Sequence, residues 1–466
     1  MIVIGGGLAG LAAGVSLADA GWRVRLFEQR PILGGRATSY VLPDGEHVDN
    51  CQHVTLGCCT NLDNFYRRVG SADKIKYFDR LLFQDPQGRT GVMQAGILPA
   101  PFHMTCSFLA FAPLSFPDKR SIGRAMLSIL RGKGRTADLD EPGGISMLEW
   151  LKRRRQTSGA IERFWRVVLV SALDEELERT DARYGVDVFW KAFLSNRTGY
   201  RMGVPVVPLG VLYDGCKAEI EKRGGEVHLR MPLRGLQLHN NVIEGVEFDG
   251  GRRESADAYV LAVPHQVLLG VLPEEAKQMD PALAKIGDIG VSPITGVHFW
   301  FDREVMREPF LTMVDTTTQW IFNKTVLYGK SGTGEEQRQY LQLVISASYE
   351  LLQKPRQEII DLCLKELRQF LPAAREAKLL KATVIKEAAA TFSPQPGVDL
   401  LRPKQETLIG RMFLAGDWTD TGWPATMEGA VRSGYLAAEA VLRRAGTLKQ
   451  LVQADLPPDG LVRMLF

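Results

Sequence analysis

The first thirty residues follow an apolar and helical pattern that is typical of a βαβ unit. Residues 1–4 (MIVI) are a short apolar run, which predicts a buried strand. Residues 11–21 (LAAGVSLADAG) carry apolar positions at helical spacing and stop at a glycine. Residues 22–29 (WRVRLFEQ) alternate polar and apolar positions, which predicts a second strand. This order of elements predicts one unit of a parallel sheet.

Later segments predict a return to this sheet and a second domain. Residues 221–264 read as an antiparallel meander followed by a strand that rejoins the sheet. Residues 411–418 (RMFLAGDW) predict a further strand, and residues 426–442 predict a helix with Thr426 as its N-cap. Two other blocks, 86–201 and 291–394, are rich in helical and in strand patterns respectively. We expect these blocks to form a separate domain that binds the substrate.

Composition and charge exclude several classes of protein. The chain has 466 residues, 45% hydrophobic residues and a net charge of +3, which is too small to indicate a nucleic-acid partner. Its six cysteines show neither C-x-x-C nor zinc-like spacing, so we predict reduced thiols, a cytoplasmic location and no metal site. The most apolar window, residues 105–116, is too short to span a bilayer.

A glycine motif in the βαβ unit predicts a dinucleotide site. Gly5, Gly7 and Gly10 form a G-x-G-x-x-G between strand and helix, and Glu28 lies 18 residues after Gly10 at the end of the second strand. Gly5 is expected to make the tight turn, Gly7 to admit a pyrophosphate, and Gly10 to pack helix on strand. Glu28 is expected to accept hydrogen bonds from a ribose hydroxyl pair.

Residues 32–40 (ILGGRATSY) resemble the G-G-R element of the flavin amine oxidase and phytoene desaturase superfamily. The resemblance implies FAD as the cofactor, with Gly35 and Arg36 near its pyrophosphate. It also implies that the late Gly-Asp segment closes over the flavin, with the following helix pointing at the isoalloxazine edge. The remaining expected cofactor-binding residues are Leu233, Gly416, Asp417, Trp423, Met427 and Glu428.

This superfamily implies an α/β fold, with a Rossmann-like FAD-binding domain of the amine-oxidase (GR2) type and a split α+β substrate domain. We predict a discontinuous FAD-binding domain over residues 1–85, 202–290 and 395–446. The substrate-binding domain takes residues 86–201 and 291–394, and residues 447–466 form a C-terminal tail.

Residues 48–58 (VDNCQHVTLGC) and 203–213 (GVPVVPLGVLY) sharpen this resemblance. With the segments above, they are similar to the squalene-associated FAD-dependent desaturase-like group, although Cys51 replaces the usual glycine of its D-x-G-Q-H pattern. Characterised members remove the allylic hydroxyl of hydroxysqualene in bacterial squalene and hopanoid synthesis. The resemblance implies that reduced flavin delivers hydride to an allylic cation, giving squalene.

The polar residues of that pattern, Asp49, Gln52 and His53, are the catalytic candidates. A histidine has the pKa range to protonate a departing hydroxyl. The alternative for His53 is a packed, hydrogen-bonded core histidine.

Three other functions stay open. A carotenoid or phytoene desaturase would move hydride from isoprenoid to FAD, which is the opposite direction. An amine oxidase usually places a lysine by the flavin on a substrate-domain strand, but no lysine lies between Lys285 and Lys324. The third alternative is a non-catalytic FAD-binding partner of a squalene-synthesis complex.

A hydrophobic C30 isoprenoid substrate implies further partners. These are an external reductant, an enzyme that forms hydroxysqualene, and peripheral contact with the inner face of the cell membrane. The segment from Phe102 to Leu127 is the membrane candidate, because it concentrates phenylalanine and leucine just before Lys119 and Arg120. Its alternative role is the apolar interior of the substrate domain.

Overall fold

A computed structural model describes residues 1–329 and 338–465. Residues 330–337 of the predicted substrate domain and Phe466 of the predicted tail lie outside the described residues.

The strands fall into five sheets. In chain order they are β1 (Ile2–Ile4), β2 (Arg25–Phe27), β3 (Ser39–Val41), β4 (His47–Asp49), β5 (Thr55–Leu56), β6 (Ile75–Phe78), β7 (Arg80–Gln84), β8 (Thr90–Gln94), β9 (Met202–Pro205), β10 (Glu226–His228), β11 (Leu233–His239), β12 (Val242–Phe248), β13 (Arg253–Glu254), β14 (Tyr259–Leu261), β15 (Val291–Phe301), β16 (Phe310–Met313), β17 (Trp320–Asn323), β18 (Gln339–Ile345), β19 (Leu379–Phe392) and β20 (Met412–Leu414).

The α-helices are distributed along the whole chain. They are α1 (Leu8–Asp19), α2 (Thr60–Arg68), α3 (Thr105–Leu109), α4 (Phe116–Arg131), α5 (Met147–Arg153), α6 (Ser158–Ala160), α7 (Val167–Leu173), α8 (Ala182–Val188), α9 (Asp214–Glu221), α10 (His265–Val271), α11 (Glu274–Met279), α12 (Pro281–Lys285), α13 (Lys324–Leu327), α14 (Arg356–Phe370), α15 (Met427–Arg444) and α16 (Gly460–Leu465). Two π-helical segments, Ile161–Arg166 and Phe189–Leu194, extend α6 and α8.

The predicted nucleotide-binding sheet is present. It has five parallel strands in the order β10-β2-β1-β14-β20, and α1 and α15 pack together against it in one apolar cluster. The meander β11-β12-β13 is antiparallel and leads back into the sheet through β14, as the sequence predicts. The carboxyl ends of the parallel strands therefore face one common edge, which is where ligands bind in such sheets.

A seven-stranded sheet forms the centre of the substrate-binding region. Its order is β19-β15-β18-β17-β16-β7-β8, and all pairings except β16 with β7 are antiparallel. Apolar residues of α14 cover one face of β15 and β18. The opposite face presents Trp320, Phe322 and Val344 to a cavity.

Strand β7 shows where the structure differs from the predicted boundary at residues 85 and 86. It precedes that boundary, yet it pairs with β8 and β16 of the seven-stranded sheet. The residues at that boundary form the hairpin turn between β7 and β8. The division into two domains stays a prediction in its other bounds.

Candidate active site

The turn between β1 and α1 depends on close backbone contacts. A Cβ at Gly10 would lie 1.9 Å from the Gly5 carbonyl oxygen, and a Cβ at Gly5 would lie 2.3 Å from the Ala262 carbonyl oxygen. A Cβ at Gly7 would meet only the Gly35 Cα, at an ordinary 3.8 Å. Gly5 and Gly10 thus shape the turn, whereas Gly7 leaves open space beside a cavity that it lines.

This cavity, which we call the cofactor cavity, holds most of the predicted cofactor residues. It lies at the carboxyl ends of β1, β2, β14 and β20 and at the N-terminus of α1. The predicted residues that line it are Gly5, Gly7, Glu28, Gly35, Arg36, Gln52, His53, Leu233, Gly416, Asp417 and Met427. The N-terminal amides of α1 favour an anionic group there, as a diphosphate requires.

Glu28 is held in place by the backbone. Its carboxylate accepts one hydrogen bond from the Gly6 amide at 2.6 Å and one from the Arg30 amide at 2.7 Å. The side chain is buried, and each oxygen keeps a further lone pair. This geometry fits the predicted contact with ribose hydroxyls.

Arg36, near the start of the chain, contacts two residues from its last quarter at the cofactor cavity. Its guanidinium donates to Asp417 Oδ1 at 2.6 Å and to the Ala390 carbonyl oxygen at 2.7 Å. The Asp417 carboxylate is buried. The ion pair therefore fixes the G-G-R loop, β19 and the late Gly-Asp segment around one space.

The first turn of α15 also faces the cofactor cavity. Thr426 caps this helix as predicted, because its Oγ1 accepts a hydrogen bond from the Gly429 amide at 3.0 Å. Thr426, Met427 and Ala430 line the cavity. The positive end of the helix dipole favours negative charge at this position.

Glu428 does not line the cofactor cavity, contrary to its predicted role. Its carboxylate accepts hydrogen bonds from the Asn61 amide, the Asn61 side chain and the Leu62 amide, at 3.2, 2.8 and 2.7 Å. Burial raises the pKa of Glu428 despite these donors. Successive residues of a helix point about 100° apart, so the side chain of Glu428 points away from that of Met427. Its hydrogen bonds stabilise the first turn of α2.

Trp423 lies against a different cavity from the one predicted. It lines the substrate cavity described below, and Lys191 Nζ and the Arg432 guanidinium lie 4.8 and 5.2 Å from its ring centre. Trp423 is therefore a wall residue of that cavity and not of the cofactor cavity. Gly10 is also absent from the lining, because it packs α1 on β1.

The substrate cavity is mainly apolar and shares lining residues with the cofactor cavity. Its aromatic and methionine lining residues are Phe83, Met93, Phe111, Phe164, Tyr184, Phe189, Phe193, Met202, Trp320, Phe322, Trp423 and Met427. Six residues line both cavities, and we call their meeting point the junction: Gln52, Val54, Ser171, Ala172, Thr426 and Met427. A substrate in the apolar cavity would meet the cofactor at this point.

Gln52 brings an unpaired acceptor to the junction. Its Nε2 donates to the His53 carbonyl oxygen at 2.9 Å, which fixes the orientation of the amide. Its Oε1 is buried without a hydrogen-bond partner. An unsatisfied buried carbonyl oxygen costs about 1–3 kcal/mol, so this atom favours a ligand that donates a hydrogen bond.

His53 lines the cofactor cavity but does not have the geometry of an acid. Its Nδ1 lies 3.0 Å from the Cys51 carbonyl oxygen, which can only accept, so Nδ1 carries the proton. Burial lowers the pKa of His53, and the ring is neutral at neutral pH. Its Nε2 is then an acceptor. The predicted role as proton donor is not supported by this arrangement.

Asp49 does not line either cavity. Its Oδ1 accepts from Ser39 Oγ and the Leu209 amide, and its Oδ2 accepts from Lys324 Nζ at 2.6 Å and from the Tyr328 hydroxyl at 3.2 Å. Burial alone would raise the pKa of Asp49, but Lys324 and the other donors hold it below its ordinary value. This carboxylate anchors the loop that carries Gln52 and His53, and it does not reach a reacting atom.

Several lining residues were not found from the sequence. Ser171 and Ala172 line the junction, and Asp174 and Thr391 line the cofactor cavity. They come from the two blocks that carry no nucleotide motif. Their position depends on how β19 and the end of α7 pack, and no local pattern encodes that packing.

The chain is similar to known flavoproteins along almost its whole length. The family model for flavin containing amine oxidoreductases matches residues 8–442. A zeta-carotene desaturase of Synechocystis sp. is 27% identical over 488 residues, covering 97% of this chain and 99% of that protein. A 15-cis-phytoene desaturase of Synechococcus elongatus is 26% identical over 482 residues, covering 96% of this chain and 97% of that protein.

Solved structures share the fold. An oxidoreductase from Methanosarcina mazei aligns with a TM-score of 0.72 at 18% identity, covering 95% of this chain and 99% of that chain. Cyclohexylamine oxidase from Brevibacterium oxydans aligns with a TM-score of 0.68 at 16% identity, covering 96% and 99%. These similarities confirm the predicted architecture.

Gly7→Val should give a folded protein that does not retain FAD. The new side chain has room in the protein but occupies the space of the pyrophosphate. Flavin absorbance after gel filtration and a thermal unfolding curve measure the two properties. Gly10→Ala is the matched control and should lose stability, because its Cβ meets backbone. Full flavin content in Gly7→Val would contradict the assignment of this turn.

Lys324→Met should lower the free energy of unfolding by about 3–5 kcal/mol, because it leaves the Asp49 carboxylate buried without its cation. The double variant Asp49→Asn with Lys324→Met removes both charges and should be destabilised less. Urea unfolding midpoints compare the three proteins. Equal losses in the single and double variants would show that the ion pair does not determine the effect.

Proposed function

The chain belongs to the family of flavin containing amine oxidoreductases and is an FAD-dependent oxidoreductase, and from this premise we propose that it acts on a long isoprenoid chain. The observation that carries the proposal is the apolar substrate cavity that meets the cofactor cavity at the junction. Pockets that bind hydrocarbons are lined by apolar and aromatic side chains with few polar groups. A C30 isoprenoid fits that chemistry.

The residues of the cofactor cavity suit FAD. Glu28 is placed for the ribose, the N-terminus of α1 and the space at Gly7 for the diphosphate, and the first turn of α15 for an electron-rich ring. When bound there, FAD supplies two-electron chemistry as hydride transfer. The protein positions the substrate at the junction and excludes water from it.

The first candidate reaction is desaturation of the isoprenoid. The relatives named above are carotenoid desaturases, which supports this direction. When one substrate carbon loses hydride, the adjacent carbon must lose a proton so that the double bond can form, and the unprotonated His53 Nε2 can accept a proton in the cofactor cavity. We therefore assign His53 as the residue that accepts this proton.

The second candidate is reductive dehydroxylation of hydroxysqualene to squalene. The unpaired Gln52 Oε1 favours it, because a hydroxyl group can donate a hydrogen bond to that atom and a hydrocarbon cannot. The resemblance of residues 48–58 to hydroxysqualene dehydroxylases supports the same assignment. This reaction requires an external reductant and an enzyme that forms hydroxysqualene as partners.

Amine oxidation is less well supported. Among the described residues that line the cofactor cavity there is no lysine, and the β15 residue that lines it is Ile294. Lys324, the first lysine after Lys285, is buried in its pair with Asp49.

An exposed apolar surface near the substrate cavity supports contact with a membrane. The segment predicted from sequence divides: Phe111 and Leu114 are buried, whereas Phe102, Leu109 and Phe116 are 50, 59 and 76% exposed. The C-terminal helix α16 adjoins this segment through the Leu461 amide and the Ala100 carbonyl oxygen, and its Met464 is exposed. Among residues 1–329 and 338–465, no helix is long and apolar enough to cross a bilayer.

The exposed apolar side chains of this region, which we call the apolar face, are Ile97, Phe102, Leu109, Phe116 and Met464, and cations follow Phe116 on α4. Arg120 and Arg124 are exposed on α4, and Lys119 is half-buried. Phe111, in the connection between α3 and α4, is buried and lines the substrate cavity. Apolar anchors with flanking cations suit an anionic bilayer, which also stores the insoluble substrate.

The direction of hydride transfer can be measured on flavin absorbance without oxygen. We expect phytoene to bleach the oxidised protein, because desaturation passes hydride to FAD. The pre-reduced protein should not be reoxidised by hydroxysqualene. Reoxidation with formation of squalene would instead assign dehydroxylation, and no response to either compound would contradict an isoprenoid substrate.

Phe102→Asp with Phe116→Asp should reduce co-sedimentation with anionic liposomes by several-fold. The double substitution replaces two exposed aromatic rings, which would insert into the bilayer, with negative charges. Leu400→Asp with Leu408→Asp is the control, since these side chains are 79 and 69% exposed away from the apolar face. Equal sedimentation of the two double variants would argue against membrane contact at this face.

A further inference from the structure

Asp174 is a buried carboxyl group beside the cofactor cavity for which neither the fold nor the proposed reactions give a role. It directly follows α7, lines the cavity and is 4% exposed. Its backbone has φ 54° and ψ 36°, a left-handed conformation that costs a non-glycine residue about 1–2 kcal/mol. The fold therefore holds this side chain in place against a local preference.

Each carboxyl oxygen of Asp174 makes one hydrogen bond. Oδ1 accepts from the Ala347 amide at 2.8 Å, so it acts as the carbonyl oxygen of the acid. The Thr391 hydroxyl is 2.9 Å from Oδ2, and it donates to Oδ2 when the carboxyl group is ionised and accepts from it when the group is protonated. Thr391 belongs to β19 and itself lines the cofactor cavity. The pair thus connects a buried acid to a hydroxyl group at the cofactor.

The surroundings favour the neutral acid. Burial raises the pKa of Asp174 well above its ordinary value, and the adjacent Glu175 carboxyl adds to this, while the Ala347 amide, Thr391 and Arg36 oppose it. Among the described residues no ion pair includes Asp174, and Arg36 is already paired with Asp417. The Cys51 thiol, also near Asp174, has a pKa raised by burial and adds no charge.

We propose that Asp174 and Thr391 form a relay that presents one hydrogen-bond donor to bound FAD. The Asp174 carboxyl donates from Oδ2 to Thr391 Oγ1, and the Thr391 hydroxyl is thereby free to donate into the cofactor cavity. If Asp174 ionises, its oxygen takes the Thr391 hydrogen bond back, and the cavity loses the donor. This inference rests on FAD binding and does not depend on the isoprenoid substrate.

The relay should stabilise the reduced cofactor relative to the oxidised one. Reduction adds electron density to the flavin, and an oriented donor in a site with little water stabilises such density strongly. An ionised Asp174 would act in the opposite sense, because it adds a negative charge nearby. The midpoint potential of bound FAD therefore reports on the relay without any substrate.

Thr391→Val tests the donor with a side chain of the same shape. We expect a more negative midpoint potential than in the wild type, measured by anaerobic dye titration of the FAD-loaded protein. Thr312→Val is the matched control, since Thr312 is a buried strand threonine that lines neither cavity. Thr391→Ser retains the hydroxyl and should keep the wild-type potential.

Asp174→Asn tests the acid. The amide can accept from Ala347 and donate to Thr391 as the neutral acid does, so the potential at neutral pH should stay near the wild-type value. In the wild type, Asp174 ionises as pH rises through its raised pKa, and the potential should then fall more steeply with pH than in Asp174→Asn. The infrared absorption of a protonated carboxyl group should be weaker in the variant at neutral pH.

The proposal is overturned if wild type and Asp174→Asn show the same pH dependence and Thr391→Val behaves as Thr312→Val. Because no isoprenoid is added, a wild type that fails to turn over phytoene or hydroxysqualene leaves these results intact. Failure of the proposed function and failure of the relay are therefore distinguishable.

Discussion

The active site depends on the hydrogen bonds and the ion pair of one buried carboxylate, that of Asp49. It receives hydrogen bonds from β3, from the segment at Leu209, from Lys324 and from Tyr328, so parts of the chain far apart in sequence meet on one charged group. Burial of an ion costs several kcal/mol unless its partners are well placed. With them in place, the loop after β4 has one position, and Gln52, His53 and Val54 of that loop line the cofactor cavity.

Arg36 gives the cofactor cavity a second fixed point. Its contacts with Asp417 and Ala390 connect the parallel sheet to β19 of the seven-stranded sheet. The two sheets therefore hold the cavity walls together, and the junction lies between them. Gln52, Ser171 and Thr426 place polar groups at the junction, while the lining of the substrate cavity is mainly apolar. A buried polar atom at the junction has a strong electrostatic effect, because apolar surroundings screen it weakly.

Local patterns were sufficient for the parts of the site that local chemistry determines. Gly5, Gly7, Gly10 and Glu28 could be assigned because turn, helix start and strand end follow one another within thirty residues. The cluster of Asp49, Gln52 and His53 was also visible, but only long-range partners show that Asp49 is an anchor. Met427 and Glu428 were both predicted to bind the cofactor, but only Met427 lines the cofactor cavity, and Glu428 lines the substrate cavity. Asp174 and Thr391 are 217 residues apart and meet through sheet packing, which no sequence spacing reveals.

The placement of donors and acceptors bears on both candidate reactions. Gln52 Oε1 and His53 Nε2 are acceptors, and both side chains belong to the loop after β4. In the proposed relay, Thr391 on β19 presents a donor, and its hydroxyl is hydrogen-bonded to Asp174 Oδ2. Desaturation needs an acceptor for the proton that leaves carbon, and dehydroxylation needs a group that receives the hydrogen bond of an alcohol and a proton for its oxygen. The loop after β4 provides what desaturation needs, because it contains a proton acceptor. It provides only part of what dehydroxylation needs, because Gln52 can orient a hydroxyl group but cannot protonate it. For dehydroxylation the proton would have to come from a group outside the loop after β4. This requirement is the clearest physical difference between the two reactions at this site.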